Sequence, residues 1–213
     1  MQAAHFVIAV PSHDVVPVDF AFDLARLTSY TTAAVPDGVI VGLMGLKATY
    51  IHAARNDLIE AAIVAGATHI LWLDSDMRFP SSTLMHLARR NKPVVGCNYA
   101  QRVVDPKYVA IKEVGKPGVR CATTAESEGL EEVEALGFGC LLLRLDALEG
   151  MPDPNEVPWF QNVYLGDGEW MGEDVHFCKL LREAGHKIYV DHDLSKHVRH
   201  IGSFEYDLSM VEG

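Results

Sequence analysis

The sequence is short of positive charge. Lysine and arginine together number 18, against 29 aspartates and glutamates, which gives a net charge of −11 with the histidines neutral. Nucleic acid and anionic membrane surfaces repel such a chain, so non-specific binding to either is disfavoured. A small basic cluster at Arg89, Arg90 and Lys92 is interpreted as a solvated helix end.

Long apolar runs are also missing. No stretch approaches the roughly 20 apolar residues that span a bilayer. The first five residues, Met-Gln-Ala-Ala-His, do not form the basic start of a signal peptide. We therefore expect a cytoplasmic protein with no membrane partner.

Cysteine is scarce and unpatterned. The four cysteines show neither a Cys-x-x-Cys pair nor the spacing of a zinc site. Cys97, Cys140 and Cys178 have apolar neighbours and are interpreted as small core residues. With no disulfide framework to predict, a reducing compartment is the simplest expectation.

What the sequence does have is the pattern of a one-domain α/β protein. Its 213 residues, 49% apolar and 22% charged, suit a single domain with a full core. Apolar strands such as 6–10 and 69–73 alternate with helical segments such as 51–65. This alternation predicts a mostly parallel sheet with right-handed crossovers.

The sharpest chemical signal is a buried strand that ends in Asp74-Ser75-Asp76. Because side chains alternate along a strand, Asp74 and Asp76 are predicted to share one face, with Ser75 on the other. Ligands of open α/β sheets bind at this edge, and two carboxylates there repel each other unless a cation lies between them. The pattern predicts a Mn²⁺ or Mg²⁺ site. The alternative is a strand end followed by an ordinary turn.

A second set of acids opens a helix near the C-terminus. Glu173 and Asp174 precede a helical pattern that ends at Gly185, and the helix dipole by itself favours acids at such a start. A strand at 187–191 follows. After it come three histidines that are candidates to complete the metal site: His192, His197 and His200.

These parts, in this order, resemble GT-A fold glycosyltransferases of the family 2 type, most of all the compact versions of phages and bacteria. The motifs that carry the resemblance are Pro-x-His after the first strand, Ala-Arg-Asn, Leu-Asp-Ser-Asp, Gly-Phe-Gly-Cys-Leu-Leu-Leu-Arg, Gly-Glu-Asp-x-x-Phe-Cys and a final His-Ile-Gly. The resemblance implies one domain over 1–213 with a Rossmann-like, three-layer α/β/α fold. Residues 1–105 would bind the nucleotide sugar, and 106–213 would bind the acceptor and catalyse transfer.

The resemblance also implies roles on the donor side. Asp76 would bind the metal directly, Asp74 would face the ribose or a metal-bound water, and His200 would be the third ligand, with His197 as the fallback. Arg55 would lie near the diphosphate; the alternative is a solvent-facing helix residue. The nucleotide-binding residues expected on this basis are Pro11, Ser12, His13, Arg55, Asp74, Ser75 and Asp76.

On the acceptor side, the resemblance makes Asp174 the base that deprotonates the acceptor hydroxyl, with Glu173 as the competing choice. We expect the helix dipole to lower the pKa of Asp174, with burial acting the other way. Trp170 would stack on a sugar. Gly139, which leaves space for a ligand, and Trp159, in an aromatic loop expected to be mobile, would complete the acceptor-binding surface.

The predicted function is hexosyl transfer from a UDP- or GDP-linked sugar to a hydroxyl of a glycan, a protein or a modified nucleobase. If a phage encodes the chain, the host cytoplasm is the expected location. The sequence leaves the donor, the acceptor, the stereochemistry and the oligomeric state open. One alternative is a sugar nucleotidyltransferase, although the first loop has neither the glycine nor the lysine of its phosphate loop. The other is a non-catalytic carbohydrate- or nucleotide-binding module.

Overall fold

The computed structural model describes residues 4–103, 105–115, 118–202, 205–208 and 211. The strands are β1 (His5–Ser12), β2 (Ile40–Lys47), β3 (His69–Leu73), β4 (Met77–Arg78), β5 (Val94–Gly96), β6 (Ile111–Glu113), β7 (Val119–Arg120), β8 (Leu130–Val133), β9 (Cys140–Arg144), β10 (Val163–Gly166), β11 (Glu169–Met171), β12 (Ile188–Asp191), β13 (Arg199–Ile201) and β14 (Glu205–Tyr206). The helices are α1 (Val18–Ala34), α2 (Ile51–Val64), α3 (Thr83–Arg89), α4 (Glu173–Glu183) and α5 (His192–Ser195), with a 3-10 turn at Leu145–Leu148. In this part of the chain, no helix has both the length and the hydropathy needed to cross a bilayer.

Seven strands form the central sheet in the order β2-β1-β3-β9-β5-β12-β8. β1 pairs in parallel with β2 and β3, and β5 pairs in parallel with β12. β9 runs antiparallel between β3 and β5, and β8 is an antiparallel edge strand beside β12. This mixed, mostly parallel sheet confirms the predicted α/β class and is consistent with a GT-A-like Rossmann fold.

Helices cover both faces of the sheet. On one face α2 and α4 contribute Leu58, Ile59, Ala62, Phe177 and Leu181 to the core. On the other face α1 and α3 contribute Phe20, Leu27, Leu84 and Leu87. Strand β3 supplies residues to both cores alternately, and for that reason its sequence is apolar throughout rather than alternating.

The core on the α2–α4 face is centred on four aromatic rings. Phe160 stacks on Phe177 with ring centroids 4.3 Å apart, and the Phe138 ring meets Phe160 edge-on at 5.1 Å. Trp72 from β3 meets Phe160 edge-on at 5.6 Å. The expectation of a mobile aromatic loop is therefore wrong for Trp159 and Phe160, because both side chains are buried.

The strand that carries the first acidic motif is shorter than the sequence suggests. β3 ends at Leu73, and the Met77 amide donates to the Asp74 carbonyl at 3.1 Å, which closes a turn over residues 74–77. Strand alternation therefore does not apply to Asp74 and Asp76, which lie beyond the end of β3. The turn, and not the pleat of a strand, sets the directions of the two carboxylates.

Replacing Phe160 by alanine should lower the free energy of unfolding by about 3–5 kcal/mol, because the fully buried ring leaves a cavity among the other aromatic side chains. Urea denaturation followed by circular dichroism measures the change. Phe22→Ala is the matched control, since that ring is 59% exposed and its loss should cost about 0.5 kcal/mol or less. Equal losses for the two variants would contradict the packing described.

Candidate active site

A cleft of about 330 Å³ opens at the carboxyl edge of the parallel strands. The end of β1, the turn after β3, the first turns of α2 and α4, and β13 all reach it. The sequence-predicted residues that line it are Pro11, Ser12, His13, Arg55, Asp74, Ser75, Asp76, Glu173, Asp174 and His200. Residues far apart in the chain thus meet at one edge of the sheet, where open α/β sheets bind ligands.

Backbone pairing brings His200 to the first acidic motif. Strand β13 pairs antiparallel with β4, with His200 opposite Met77, and the Ile201 amide donates to the Asp76 carbonyl at 2.7 Å. The His200 Nε2 atom lies 3.3 Å from Asp76 Oδ2. The fallback ligand, His197, is exposed and does not line the cleft.

The surroundings of His200 suit a metal ligand. Its Nδ1 lies 3.1 Å from the Ala100 carbonyl oxygen, an atom that only accepts, so Nδ1 carries a proton. When His200 is protonated, Nε2–H faces Asp76 Oδ2 as a donor; when His200 is neutral with its proton on Nδ1, the Nε2 lone pair faces that carboxylate. Two acceptors at 3.3 Å are stable only with a proton or a metal ion between them. This donor pair fits a divalent cation.

Positive charge surrounds the Asp76 carboxylate. Arg102 Nη1 donates to Asp76 Oδ2 at 2.6 Å and to the Ile201 carbonyl oxygen at 3.2 Å. Burial by itself would raise the pKa of Asp76. The hydrogen bond and charge of His200, together with the charge of Arg102, outweigh burial and hold that pKa below its ordinary value. Asp76 is therefore an anion at neutral pH.

Arg55 joins the two acidic motifs. Its Nη2 donates to both carboxylate oxygens of Asp74 at 2.9 and 3.1 Å, and its Nη1 donates to Glu173 Oε1 at 2.8 Å. The side chain is only 3% exposed, and the guanidinium carbon lies 5.4 Å from the Phe138 ring centroid. Desolvation by itself lowers the Arg55 pKa, but the neighbouring carboxylates raise that pKa by more than desolvation lowers it. The guanidinium therefore stays charged. Its interpretation as a solvent-facing residue is wrong.

Asp74 differs from Asp76 in its partners. Its carboxylate is bound by Arg55, and its backbone amide donates to the Gly139 carbonyl at 3.1 Å. Among the described residues, the one group of three ligating side chains whose atoms lie within 4.8 Å of one another does not include it. The predicted trio of Asp74, Asp76 and His200 is thus not a closed cluster, and the close pair is Asp76 with His200.

The second acidic motif separates into two different carboxylates. Glu173 is bound to Arg55, whereas Asp174 Oδ1 accepts from the Val175 amide at 2.8 Å and Oδ2 has no partner among the described residues. Burial raises the pKa of Asp174, the Glu173 charge raises it further, and Arg55 offsets only part of the increase. Of the two opposing effects expected, burial outweighs the lowering at the helix start, to which the Val175 amide contributes. A half-buried carboxylate with a raised pKa has the character of a general base.

Three predicted acceptor residues lie outside the cleft lining. The Trp159 ring is buried, and its indole N–H donates to the Pro152 carbonyl oxygen at 2.8 Å. Trp170 is 65% exposed on β11, with its ring 5.0 Å from that of Tyr164. A Cβ on Gly139 would lie 2.5 Å from the Tyr99 hydroxyl, so the absent side chain makes room for Tyr99 and not for a ligand.

Sequence reasoning missed Tyr99 and Arg102. The Tyr99 hydroxyl accepts from the Gly139 amide at 2.9 Å, and its ring meets the His200 ring edge-on at 5.6 Å. Both residues line the cleft and follow β5, whose carboxyl end faces the same edge as those of β1 and β3. Their position directly after the apolar run of β5 was the available signal.

Comparisons with known proteins bear on the fold. No family model and no curated protein matches the chain. A solved structure described as A197 from STIV aligns with a TM-score of 0.59 at 14% identity, over 93% of this chain and 86% of that one. A glycosyltransferase involved in the glycosylation of the major capsid of PBCV-1 aligns with a TM-score of 0.33 at 14% identity, over 73% and 68% of the two chains. The first likeness shows a shared fold, and the second carries no argument.

Replacing Arg55 by methionine should destabilise the protein by about 3 kcal/mol. The change leaves Asp74 and Glu173 facing each other without a cation, and partial exposure of both keeps the loss at the low end for buried pairs. Guanidinium chloride unfolding measures the change. Arg26→Met removes an arginine that is 67% exposed and should cost about 0.5 kcal/mol or less. A similar loss in both variants would show that Arg55 does not hold the acids together.

Proposed function

We propose that this chain is a metal-dependent glycosyltransferase that uses a UDP- or GDP-linked sugar. The observation that carries the proposal is the meeting of Asp76 and His200, at 3.3 Å, in a cleft that also contains Asp174. One cleft thus contains a ligand pair for a hard cation and a separate carboxylate with the character of a base. Departure of a nucleoside diphosphate requires the bound cation, and deprotonation of the acceptor hydroxyl requires the base.

Asp76 and His200 are the residues proposed to hold Mn²⁺ or Mg²⁺, with Asp74 close by but bound to Arg55. Such an ion acts as a Lewis acid that stabilises the negative charge of the departing diphosphate. Arg102 adds a second positive charge on the same side, and its half-exposed guanidinium is available to donate to phosphate oxygens. The loop at Pro11, Ser12 and His13 is proposed to face the nucleotide.

Asp174 is proposed to accept the proton of the acceptor hydroxyl through Oδ2, the oxygen without a partner in the described part of the chain. The acceptor oxygen forms the new bond to the anomeric carbon, and the bond between that carbon and the diphosphate oxygen breaks. Glu173 is a weaker choice because its carboxylate is bound to Arg55. Glu173 instead raises the pKa of Asp174 and so makes it a stronger base.

The alternative functions make different demands on the same cleft. A sugar nucleotidyltransferase would need a glycine-rich, basic phosphate-binding loop after β1. At that position this chain has Pro11-Ser12-His13. A binding module would have no use for a carboxylate with the character of a base. A thermal-shift screen of nucleotide sugars with Mn²⁺, followed by an assay for released UDP or GDP, separates the transferase from the binding module. Release of diphosphate with sugar transfer supports the proposal, and binding without turnover supports the module.

Asp76→Asn should abolish the Mn²⁺-dependent stabilisation by UDP or GDP. For the wild type, a nucleotide at 100 times its Kd should raise Tm by roughly 5–10 °C, from about 2.7 kcal/mol of binding energy. The control is Asp146→Asn, an exposed carboxylate paired with Arg144, which should keep the full shift. An unchanged Mn²⁺-dependent shift of Tm in Asp76→Asn would show that Asp76 does not bind the metal.

Asp174→Asn should leave nucleotide affinity near the wild-type value and slow transfer by about 10²–10⁴-fold. Since the base acts when deprotonated and its pKa is raised, wild-type kcat/KM should fall as pH drops through a value above that of an ordinary aspartate. This fall in kcat/KM at low pH should be missing from the residual activity of Asp174→Asn. Glu183→Gln, on the exposed end of the same helix, is the control. Transfer by Asp174→Asn at the wild-type rate would exclude it as the base.

A further inference from the structure

A second group of ligating side chains lies outside the cleft. Cys121, Glu131 and His192 each offer an atom, and these atoms all lie within 4.8 Å of one another. Cys121 follows β7, Glu131 belongs to the edge strand β8, and His192 opens α5. None of the three lines the cleft, so the mechanism proposed above makes no use of them.

The backbone holds two of these residues in place. Strands β8 and β12 pair antiparallel with Glu131 opposite Val190, and the His192 amide donates to the Gly129 carbonyl at 2.9 Å. As a result His192 Nε2 lies 3.2 Å from Glu131 Oε2, although the residues are 61 positions apart. This separation is close to the roughly 3.3 Å between nitrogen and oxygen ligands of tetrahedral zinc.

A second layer of hydrogen bonds orients the group. His192 Nδ1 lies 2.9 Å from the Thr123 hydroxyl, which accepts from Asn98 Nδ2 at 3.1 Å. The same Asn98 amide donates to the Cys121 carbonyl at 2.8 Å. Thr123 has a lone pair left to accept a proton from Nδ1, and in that tautomer the Nε2 lone pair is available to a ligand. Metal-binding histidines are usually oriented by such a partner.

The three side chains differ in exposure. Cys121 is 1% exposed and His192 is 3% exposed, whereas the Glu131 side chain is 34% exposed. Lys112 Nζ donates to Glu131 Oε1 at 2.7 Å, so the other carboxylate oxygen is the one turned toward His192. The protein therefore shields Cys121 and His192 from solvent, and solvent reaches the group only on the Glu131 side.

We propose that Cys121, Glu131 and His192 form a binding site for Zn²⁺ or a similar borderline-soft metal ion. The sulfur, nitrogen and oxygen set suits zinc, while Mg²⁺ and Mn²⁺ prefer the oxygen ligands of the cleft. On binding, the Cys121 S–H bond breaks, the thiolate binds the metal, and the proton passes to solvent. Water on the Glu131 side supplies the fourth ligand.

The metal would join three parts of the chain that pack near one edge of the sheet: the segment after β7, strand β8, and α5. Its effect is therefore on stability, which distinguishes it from the proposed cleft metal. Asn98, which holds Cys121 and Thr123, directly precedes the cleft residue Tyr99. A metal here would fix the chain next to the cleft without touching substrate.

Cobalt is the probe for this site, because a cobalt–thiolate bond gives a charge-transfer band that oxygen and nitrogen ligands do not. The full chain, stripped of metal with a chelator and kept reduced, is titrated with Co²⁺. We expect one equivalent of cobalt to produce the band, and zinc to remove it by replacement. Zinc should also raise the Tm of the stripped protein.

Two variants and two controls make the outcome decisive. Cys121→Ser should lose the band, and Glu131→Gln, at a half-exposed position that folding tolerates, should weaken cobalt binding at least about tenfold. Cys178→Ser, at another buried cysteine, and Asp76→Asn, in the cleft, should both keep the band. Absence of the band in the wild type, or its survival in Cys121→Ser, would overturn the proposal. Both results are independent of glycosyl transfer.

Discussion

The cleft depends on one buried positive charge. The Arg55 guanidinium binds Asp74 and Glu173, which are 19 and 118 positions away in the sequence. Without it, these two carboxylates and Asp174 would repel one another in a half-buried space. The pairing also makes the acids unequal: Glu173 is bound to Arg55, while Asp174, whose Oδ2 has no partner among the described residues, has a raised pKa to which the Glu173 charge contributes. The same arginine thus binds two carboxylates of the cleft directly and acts on the third, Asp174, through its charge alone.

A second constraint is backbone pairing at the opposite wall. The short ladder between β4 and β13 fixes His200 beside Asp76 through main-chain hydrogen bonds, which do not depend on side-chain rotamers. The Tyr99 ring and the Ala100 carbonyl then fix the orientation of the imidazole. Side chains held by paired strands, rather than by a free loop, keep a fixed geometry.

The strand–helix alternation, the buried strand before Asp74 and the position of α4 could be predicted because each has a local pattern of apolar residues. The direction of the Asp74 and Asp76 side chains could not, since a turn replaced the expected strand at that point. Burial of Arg55 was not predictable either, because a helix pattern shows an apolar stripe but not which charged neighbour finds partners across the fold. Cys121 had no signal in spacing at all: Glu131 lies on β8 and His192 opens α5, and only the tertiary fold brings them beside the segment after β7.

The contact between Gly139 and Tyr99 has an evolutionary consequence. A methyl group at position 139 would lie 2.5 Å from the tyrosine hydroxyl and 2.8 Å from the ring carbon that bears it. Neither position can therefore drift alone: a larger residue at 139 forces out the ring beside His200, and a smaller one at 99 leaves a void and an unpaired amide. Across any lineage that retains this cleft, the two sites should covary as a single inherited unit.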